Sequence, residues 1–184
     1  MFMVKQQPRI SSQRLLLRPF EHSDITTVAY LANDREIADN TLNIPYPYGQ
    51  EDARIWLELL SQLAQCGDSY SWAITLRDDQ RLIGAISLTS LGHQQAETGY
   101  WIGQAYRRQG YCSEALQALL STAASTYRLQ TVSAVHLRSN PASGHVMRRA
   151  GMHHVAEERR PDSQGNSVPV DIYRITLPQA SSLA

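Results

Sequence analysis

Residues 95–115 read QAETGYWIGQAYRRQGYCSEA, and this stretch decides the fold more than any other part of the chain. The apolar segment at 97–103 is typical of a β-strand, and the amphipathic segment that starts at 113 is typical of an α-helix. The turn between them contains Arg107, Arg108 and Gly110. Because the first amides of a helix lack internal acceptors, a basic turn with a glycine before a helix can hold a phosphate group.

Strand and helix signals continue on both sides of this stretch. Three successive strands, at 70–76, 81–91 and 97–103, favour an antiparallel meander. The helix at 113–129 favours a crossover to a parallel strand at 131–137. Further strands are predicted at 9–20, 152–158 and 168–177, and further helices at 25–32, 52–65 and 141–151. The pattern predicts an α/β (α+β) fold, in which a mixed and mostly antiparallel sheet of six to seven strands is flanked by about four helices.

Composition limits the possible classes of protein. The 184 residues are 42% hydrophobic and 18% charged, which suits one domain over 1–184, with a flexible tail at 179–184. The formal net charge is zero, so we expect neither nucleic acid nor an acidic membrane surface as a partner. No apolar run approaches the roughly 20 residues that span a bilayer. We expect a cytoplasmic protein that is a monomer or a homodimer.

Cysteine and histidine usage favours neither a disulfide scaffold nor a metal centre. The two cysteines, Cys66 and Cys112, fit a reducing compartment. The six histidines show no short metal-binding spacing. His153 and His154 are neighbours in a predicted strand and would point to opposite faces. The sequence therefore predicts no metal.

The basic turn resembles motif A of the GNAT N-acetyltransferases, (Gln/Arg)-x-x-Gly-x-(Gly/Ala). Arg107 and Gly110 fill the first two fixed positions, and Cys112 stands where the family has glycine or alanine. Four other segments resemble the RimJ/RimL group of ribosomal-protein N-terminal acetyltransferases, and the resemblance covers nearly the whole chain. They are RLLLR at 14–18, IPYPY at 44–48, AETGYWI at 96–102, and NPAS at 140–143 followed by AGM at 150–152.

The resemblance implies a GNAT fold that binds acetyl-CoA as co-substrate in a cleft between two splayed parallel strands, here 97–103 and 131–137. The pantetheine arm would pair with the backbone of Trp101, Ile102 and Gly103, and Gly103 would suit a bulge that opens the sheet. Asn140 would bind the cofactor arm, and Ser143 would lie near the sulfur. The pyrophosphate end would be bound by Arg107, Arg108, Gln109, Gly110, Tyr111, Cys112 and Ser113.

The resemblance also implies direct acyl transfer to an amine without a metal. Glu97 would be the base, directly or through a water, and Ser143 would protonate or orient the leaving thiolate. Structural alternatives stay open, because Glu97 could be a salt-bridged surface carboxylate and Ser143 an ordinary residue of a helix start. Cys112 could carry the acyl group, since a thiol beside a helix N-terminus is activated.

The acceptor is expected to be a primary amine, either the N-terminus of a protein such as a ribosomal protein or a small molecule. The loop at 40–49 and the hairpin around 157–170 would shape its site. One alternative is a module that senses CoA or a nucleotide without turnover, and the presence of Glu97 and Ser143 favours the enzyme. Another is a phosphate-binding regulatory protein, which the zero net charge disfavours.

Overall fold

The computed structural model of the chain describes residues 7–178, which form one eight-stranded sheet with helices packed on it. The strand order is β1-β2-β3-β4-β5-β6-β8-β7, and β5–β6 is the one parallel pair. The strands are β1 (Ile10–Ser11), β2 (Leu15–Pro19), β3 (Ser69–Leu76), β4 (Leu82–Gly92), β5 (Gln95–Ile102), β6 (Thr131–Leu137), β7 (His153–Pro161) and β8 (Ser167–Thr176). The helices are α1 (Ile25–Ala32), α2 (Arg35–Asn40), α3 (Gln50–Cys66), α4 (Tyr111–Ser125) and α5 (Pro141–Arg149).

The predicted fold class is confirmed, and two short elements add to the predicted count. The additions are the two-residue β1 and the six-residue α2, which are too short to show an apolar period. The tail at 179–184 lies outside the described residues. Within residues 7–178, no helix is both long enough and apolar enough to cross a membrane.

Helix α4 begins and ends earlier than the predicted range of 113–129. Gly110 precedes it with a φ of 82°, which starts the helix at Tyr111. At the other end Arg128 has a φ of 50°, and the amide of Leu129 donates to the carbonyl of Ala123 at 3.0 Å. A left-handed residue followed by such a back-bond is a common way for a helix to stop.

The sheet separates two apolar clusters, because successive residues of a strand point to opposite faces. Helices α4 and α5 pack on one face, where Leu116, Leu119 and Met147 are buried. Helices α1 and α3 pack on the other, where Val28 and Trp101 are buried. Tyr100 packs against the first cluster, whereas its neighbour Trp101 belongs to the second. Strand β5 therefore presents side chains to both sides of the molecule.

The parallel pairing between β5 and β6 stops halfway along both strands. The last paired residues are Thr98 and Ala134. Beyond them, β5 continues against β4 and β6 continues against β8, so the sheet opens into a gap. The expectation that a bulge at Gly103 opens the sheet is wrong, since the register of β5 against β4 shifts only between Ser90 and Gly92.

Gly103 instead allows close packing against α1. A Cβ at this position would lie 2.7 Å from Cδ2 of Leu31, which is closer than such atoms can approach. A side chain at 103 would therefore require the Leu31 side chain of α1 to shift.

Candidate active site

The turn before α4 presents free backbone amides at the open end of the sheet. The first hydrogen bond of α4 runs from the amide of Glu114 to the carbonyl of Gly110 at 3.1 Å. The amides of Tyr111, Cys112 and Ser113 therefore have no acceptor inside the helix. Together with the positive end of the helix dipole, these three amides suit an anion.

The two arginines of the turn have different partners. The guanidinium of Arg107 pairs with Asp34, approaches Glu36 to 2.5 Å, and donates from Nε to the carbonyl of Ile102 at 3.2 Å. This side chain, expected at the phosphate, instead fastens the turn to α2 and β5. Arg108 has a φ of 62° and is exposed, and within residues 7–178 it has no hydrogen bond or ion pair. Arg108 is thus the arginine of this turn whose charge is free for an incoming anion.

Arg14, which sequence reasoning missed, holds the turn in shape from the first hairpin. Its Nη1 donates to the carbonyl of Gln109 at 3.1 Å, and its guanidinium carbon lies 4.5 Å from the centre of the Tyr111 ring. Its Nε also pairs with Glu114 at 2.7 Å. Arg14 lies in the RLLLR segment, and the resemblance of that segment to the RimJ/RimL group was the only feature of the sequence that pointed to a role for Arg14.

Glu114 completes this clamp between the hairpin and α4. Its carboxylate accepts from the Arg14 amide at 2.7 Å and from the Ser12 hydroxyl at 2.8 Å. Burial alone raises the pKa of Glu114. The hydrogen bonds from the Arg14 amide, the Ser12 hydroxyl and the Arg14 guanidinium outweigh that effect, and the net pKa is lowered. The clamp is therefore held by an ionised carboxylate.

Ser143 lies at the capped start of α5, where Tyr100 reaches it. The amide of Ser143 donates to Oδ1 of Asn140 at 3.2 Å, which makes Asn140 the N-cap. The hydroxyl of Tyr100 is 3.0 Å from the Ser143 Oγ and donates to the Ser143 carbonyl at 3.0 Å. The Asn140 Nδ2 donates to the carbonyl of Asn40 at 3.3 Å, which joins the start of α5 to the C-terminal end of α2.

Tyr100 is the second functional candidate that sequence reasoning missed. The resemblance named only Ser143 for the leaving thiolate, whereas the structure brings a tyrosine from β5 to the same place. Burial raises the pKa of its hydroxyl far above the ordinary value, the hydrogen bond with Ser143 lowers it in part, and nearby Cys112 adds to the increase. Tyr100 therefore keeps its proton at neutral pH and can act as a donor.

Cys112 is not an activated thiol. Burial raises its pKa to about 12, although the positive charge of Arg107 lowers the pKa in part. The thiol stays protonated at neutral pH and is a poor nucleophile in that form. This environment disfavours the acyl-carrying alternative and agrees with a position that needs a small side chain.

Glu97 lies on the other face of β5, next to the hairpin of β7 and β8. Its two carboxylate oxygens accept from Nη1 of Arg160 at 3.0 and 3.1 Å, and both side chains are about 30% exposed (30% and 31%). In the sheet, β6 and β8 separate β5 from β7. The turn end of the β7–β8 hairpin, which carries Arg160, must therefore bend over the sheet toward β5 and the gap.

The backbone edge that faces the gap belongs to alternate residues of β5. The amide of Gly103 donates to the carbonyl of Ile83 at 2.9 Å, toward β4. Because hydrogen bonding alternates along an antiparallel strand, Trp101 also faces β4, while Tyr100 and Ile102 direct their polar groups toward the gap. Of the three residues predicted for the cofactor edge, Ile102 faces the gap and Trp101 and Gly103 do not.

Comparison with known proteins gives the class of this molecule. Residues 14–153 match the family described as the acetyltransferase (GNAT) domain. The class that fold and site define is therefore the N-acetyltransferases. The chain belongs to the GNAT family, and the predicted resemblance to its RimJ/RimL group is confirmed.

Two bacterial N-acetyltransferases are similar in sequence to most of this chain. It is 27% identical to the uncharacterized N-acetyltransferase YoaA of Bacillus subtilis, over 94% of this chain and 98% of that protein. It is 32% identical to the ribosomal-protein-serine acetyltransferase of Escherichia coli, over 60% of this chain and 63% of that protein.

Two solved structures share the fold. The RimJ protein of Mycobacterium smegmatis, in complex with a CoA-disulfide, superposes with a TM-score of 0.85 at 18% identity, over 96% of this chain and 92% of that one. A RimL L7/L12 α-N-protein acetyltransferase, in complex with coenzyme A, gives a TM-score of 0.83 at 22% identity, over 92% and 98% of the two chains.

Proposed function

We propose that this enzyme transfers the acetyl group of acetyl-CoA to a primary amine by direct attack of the amine on the thioester. The observation that carries the proposal is the gap that opens beyond Thr98 and Ala134. Residues suited to each part of the reaction surround it: free amides at one end, a protonated Tyr100 beside Ser143 on one face, and Glu97 on the other. The relatives solved with coenzyme A support the choice of donor.

The donor would occupy the gap as an additional strand. Its pyrophosphate would accept from the amides of Tyr111, Cys112 and Ser113, with the Arg108 guanidinium as the nearby cation. The amides of the pantetheine arm would pair with the gap-facing backbone of Tyr100 and Ile102. Asn140 would contact the same arm, since it caps the helix that carries Ser143.

The reaction then needs two proton transfers. Glu97, directly or through a water, takes the proton of the attacking amine as its nitrogen bonds to the thioester carbon. When the carbon–sulfur bond breaks, the thiolate takes a proton from the pair formed by Tyr100 and Ser143. Each positioned acid or base contributes about 10²–10⁴-fold to the rate. No metal takes part in these steps.

The acceptor site lies on the Glu97 side, between the loop after α2 and the β7–β8 hairpin. The names of the E. coli relative and of the RimL structure support a protein N-terminus, such as that of a ribosomal protein, as the acceptor, and a small primary amine is the other candidate.

The test is a screen for free-thiol release from acetyl-CoA, with short peptides bearing free N-termini and small amines as acceptors. Amine-dependent release, with an acetylated product by mass spectrometry, is the expected result. Saturable acetyl-CoA binding without turnover for any amine would contradict the proposal and favour a sensor module.

A further inference from the structure

Three side chains that can bind metal form a row across β6, β8 and β7. His136 on β6 lies opposite Asp171 on β8, and Asp171 lies opposite Glu157 on β7. Residues directly opposite each other in a sheet share a face and bring their side chains together. An imidazole and two carboxylates therefore lie side by side on three neighbouring strands.

A β-bulge adds a fourth side chain to this row. The register of β7 against β8 shifts between His154 and Ala156, so that Val155 is the extra residue and His154 lies opposite Tyr173. In a regular strand, positions 154 and 157 would point to opposite faces, and the bulge brings them to the same face. The Nε2 of His154 is 3.5 Å from Oδ1 of Asp171. The ligand atoms of His154, Glu157 and Asp171 lie within 4.8 Å of one another.

His136 supplies independent evidence that a cation belongs in this cluster. Its Nδ1 is 2.8 Å from the Leu137 carbonyl, which can only accept, so Nδ1 donates and Nε2 is the ring nitrogen that can serve as a metal ligand. The side chain is only 6% exposed, and its Nε2 has no hydrogen-bond partner among the described residues. Its charged neighbour is Oδ2 of Asp171 at 3.9 Å. A buried ring nitrogen that has no hydrogen-bond partner and lies near a carboxylate is a suitable place for a cation bound by both groups.

Gly144 leaves room beside this nitrogen. A Cβ on Gly144 would lie 2.7 Å from Nε2 of His136, so any other residue at 144 would cover that nitrogen. Since Gly144 follows Ser143, the cluster also adjoins the proposed active site through α5.

We propose that His136, His154, Asp171 and Glu157 bind one divalent transition metal ion, with Zn²⁺ as the best match. Two imidazole nitrogens with carboxylate oxygens are a ligand set that zinc uses and that calcium and magnesium do not. Zinc bonds of about 2.0–2.2 Å place tetrahedral ligand atoms roughly 3.3 Å apart. The Nε2 atoms of His154 and His136 lie 3.5 and 3.9 Å from oxygens of Asp171, so the side chains would move closer together when the ion binds. The ion would tie the edge strands β7 and β8 to β6, outside the chemistry of acetyl transfer.

Arg138 now provides the positive charge that the metal would bring. Its guanidinium contacts the carboxylate of Glu157 and lies 3.3 Å from Oδ1 of Asp171. Arg138 is 46% exposed, so its side chain can move into solvent when a metal displaces it. Arg138 therefore competes with the metal, and Arg138→Gln should tighten zinc binding.

The test uses full-length protein without a polyhistidine tag, stripped with a chelator and titrated with Zn²⁺ by calorimetry. Wild-type protein should bind one ion per chain. His154→Ala and Asp171→Asn should each weaken binding by at least about tenfold. His153→Ala is the matched control, because His153 is the exposed neighbour on the same strand and should leave the affinity unchanged. Co²⁺ in place of Zn²⁺ should give the absorption spectrum of a four-coordinate site, lost in the same two variants.

Several outcomes would overturn the proposal. The first is the absence of saturable Zn²⁺ binding by the wild-type protein. The second is a loss of zinc affinity in His153→Ala as large as in His154→Ala. The third is an unchanged zinc affinity in both His154→Ala and Asp171→Asn. Circular dichroism of each variant shows whether it is folded. If Asp171→Asn does not fold, the zinc affinities of His154→Ala and Arg138→Gln test the proposal. Both substitutions lie at more exposed positions and should leave the fold intact.

Discussion

At the scale of single residues, the proposed base Glu97 accepts hydrogen bonds from Arg160 with both of its carboxylate oxygens. We predict that Glu97→Gln lowers kcat by about 10²–10⁴-fold near neutral pH and leaves the affinity for acetyl-CoA unchanged. The amide keeps the shape of the side chain but cannot take a proton from the amine. Steady-state kinetics for turnover and calorimetry for cofactor binding measure the two quantities separately.

Glu158→Gln is the control for this substitution. Glu158 also approaches Arg160, with 3.8 Å between the carboxylate and Nε, but it lies on β7 and is half exposed. It should keep nearly full activity. A collapse of cofactor affinity in Glu97→Gln would mean that the ion pair is structural.

The buried thiol gives a second prediction at this scale. Because burial raises the pKa of Cys112 to about 12, its thiolate is scarce at neutral pH. A thiol-directed alkylating reagent should modify the exposed Cys66 quickly and Cys112 slowly, as peptide mass spectrometry can show. Cys112→Ala should retain acetyl transfer, and an acetylated Cys112 trapped during turnover would contradict the direct-attack mechanism.

At the scale of elements, Gly110 controls how the turn meets α4. Its φ of 82° favours glycine, and an added Cβ would lie 3.5 Å from Nη2 of Arg14. We predict that Gly110→Ala destabilises the protein by about 1–2 kcal/mol and also weakens acetyl-CoA binding, since the free amides change direction. Gly165→Ala is the matched control, with a φ of 80° and open space around it. It should lose similar stability while cofactor affinity stays unchanged, and equal affinities in the two variants would place the phosphates elsewhere.

The clamp between the first hairpin and α4 should respond to pH. Glu114 has a pKa below its ordinary value of 4.5, so its contribution to the free energy of unfolding is present above that value and is lost as pH falls through the lowered pKa. Urea unfolding of wild type and Glu114→Gln should differ at about pH 7 and converge in acid. A constant difference across this range would show that the carboxylate charge is not what holds the clamp.

The sequence predicted the local parts of this site and missed the parts that depend on tertiary contacts. The strand at 131–137, the glycine-containing turn before α4 and the helix that begins at Pro141 follow from nearby residues, and the structure contains them. Tyr100 meets Ser143 across 43 residues, and Arg14 meets Gln109 across 95 residues. No local pattern encodes such pairs. The bulge at Val155 is also invisible to a period-two pattern, which would assign His154 and Glu157 to opposite faces.

At the scale of the whole molecule, the gap between β5 and β6 is a sheet edge inside the protein. Exposed strand edges favour aggregation because their unpaired amides and carbonyls can form hydrogen bonds with another chain. A cofactor arm with amides of its own satisfies such an edge without competing with the side chains that react. The cofactor would then connect β5, α4 and α5. Among the described residues, side-chain contacts link these elements, and β5 pairs with β6 over only half of its length.

This geometry predicts a large thermal response to the intact donor. A ligand at 100 times its Kd that binds only the folded state stabilises it by about 2.7 kcal/mol, which corresponds to a Tm increase of roughly 5–11 °C for a chain of this size. Acetyl-CoA at that excess should reach this range in differential scanning calorimetry. Acetate or AMP at the same concentration as acetyl-CoA should give much smaller shifts in Tm, because neither spans from the amides of α4 to Ser143. Equal shifts with AMP and acetyl-CoA would mean that the nucleotide end alone is bound and that the gap does not receive the arm.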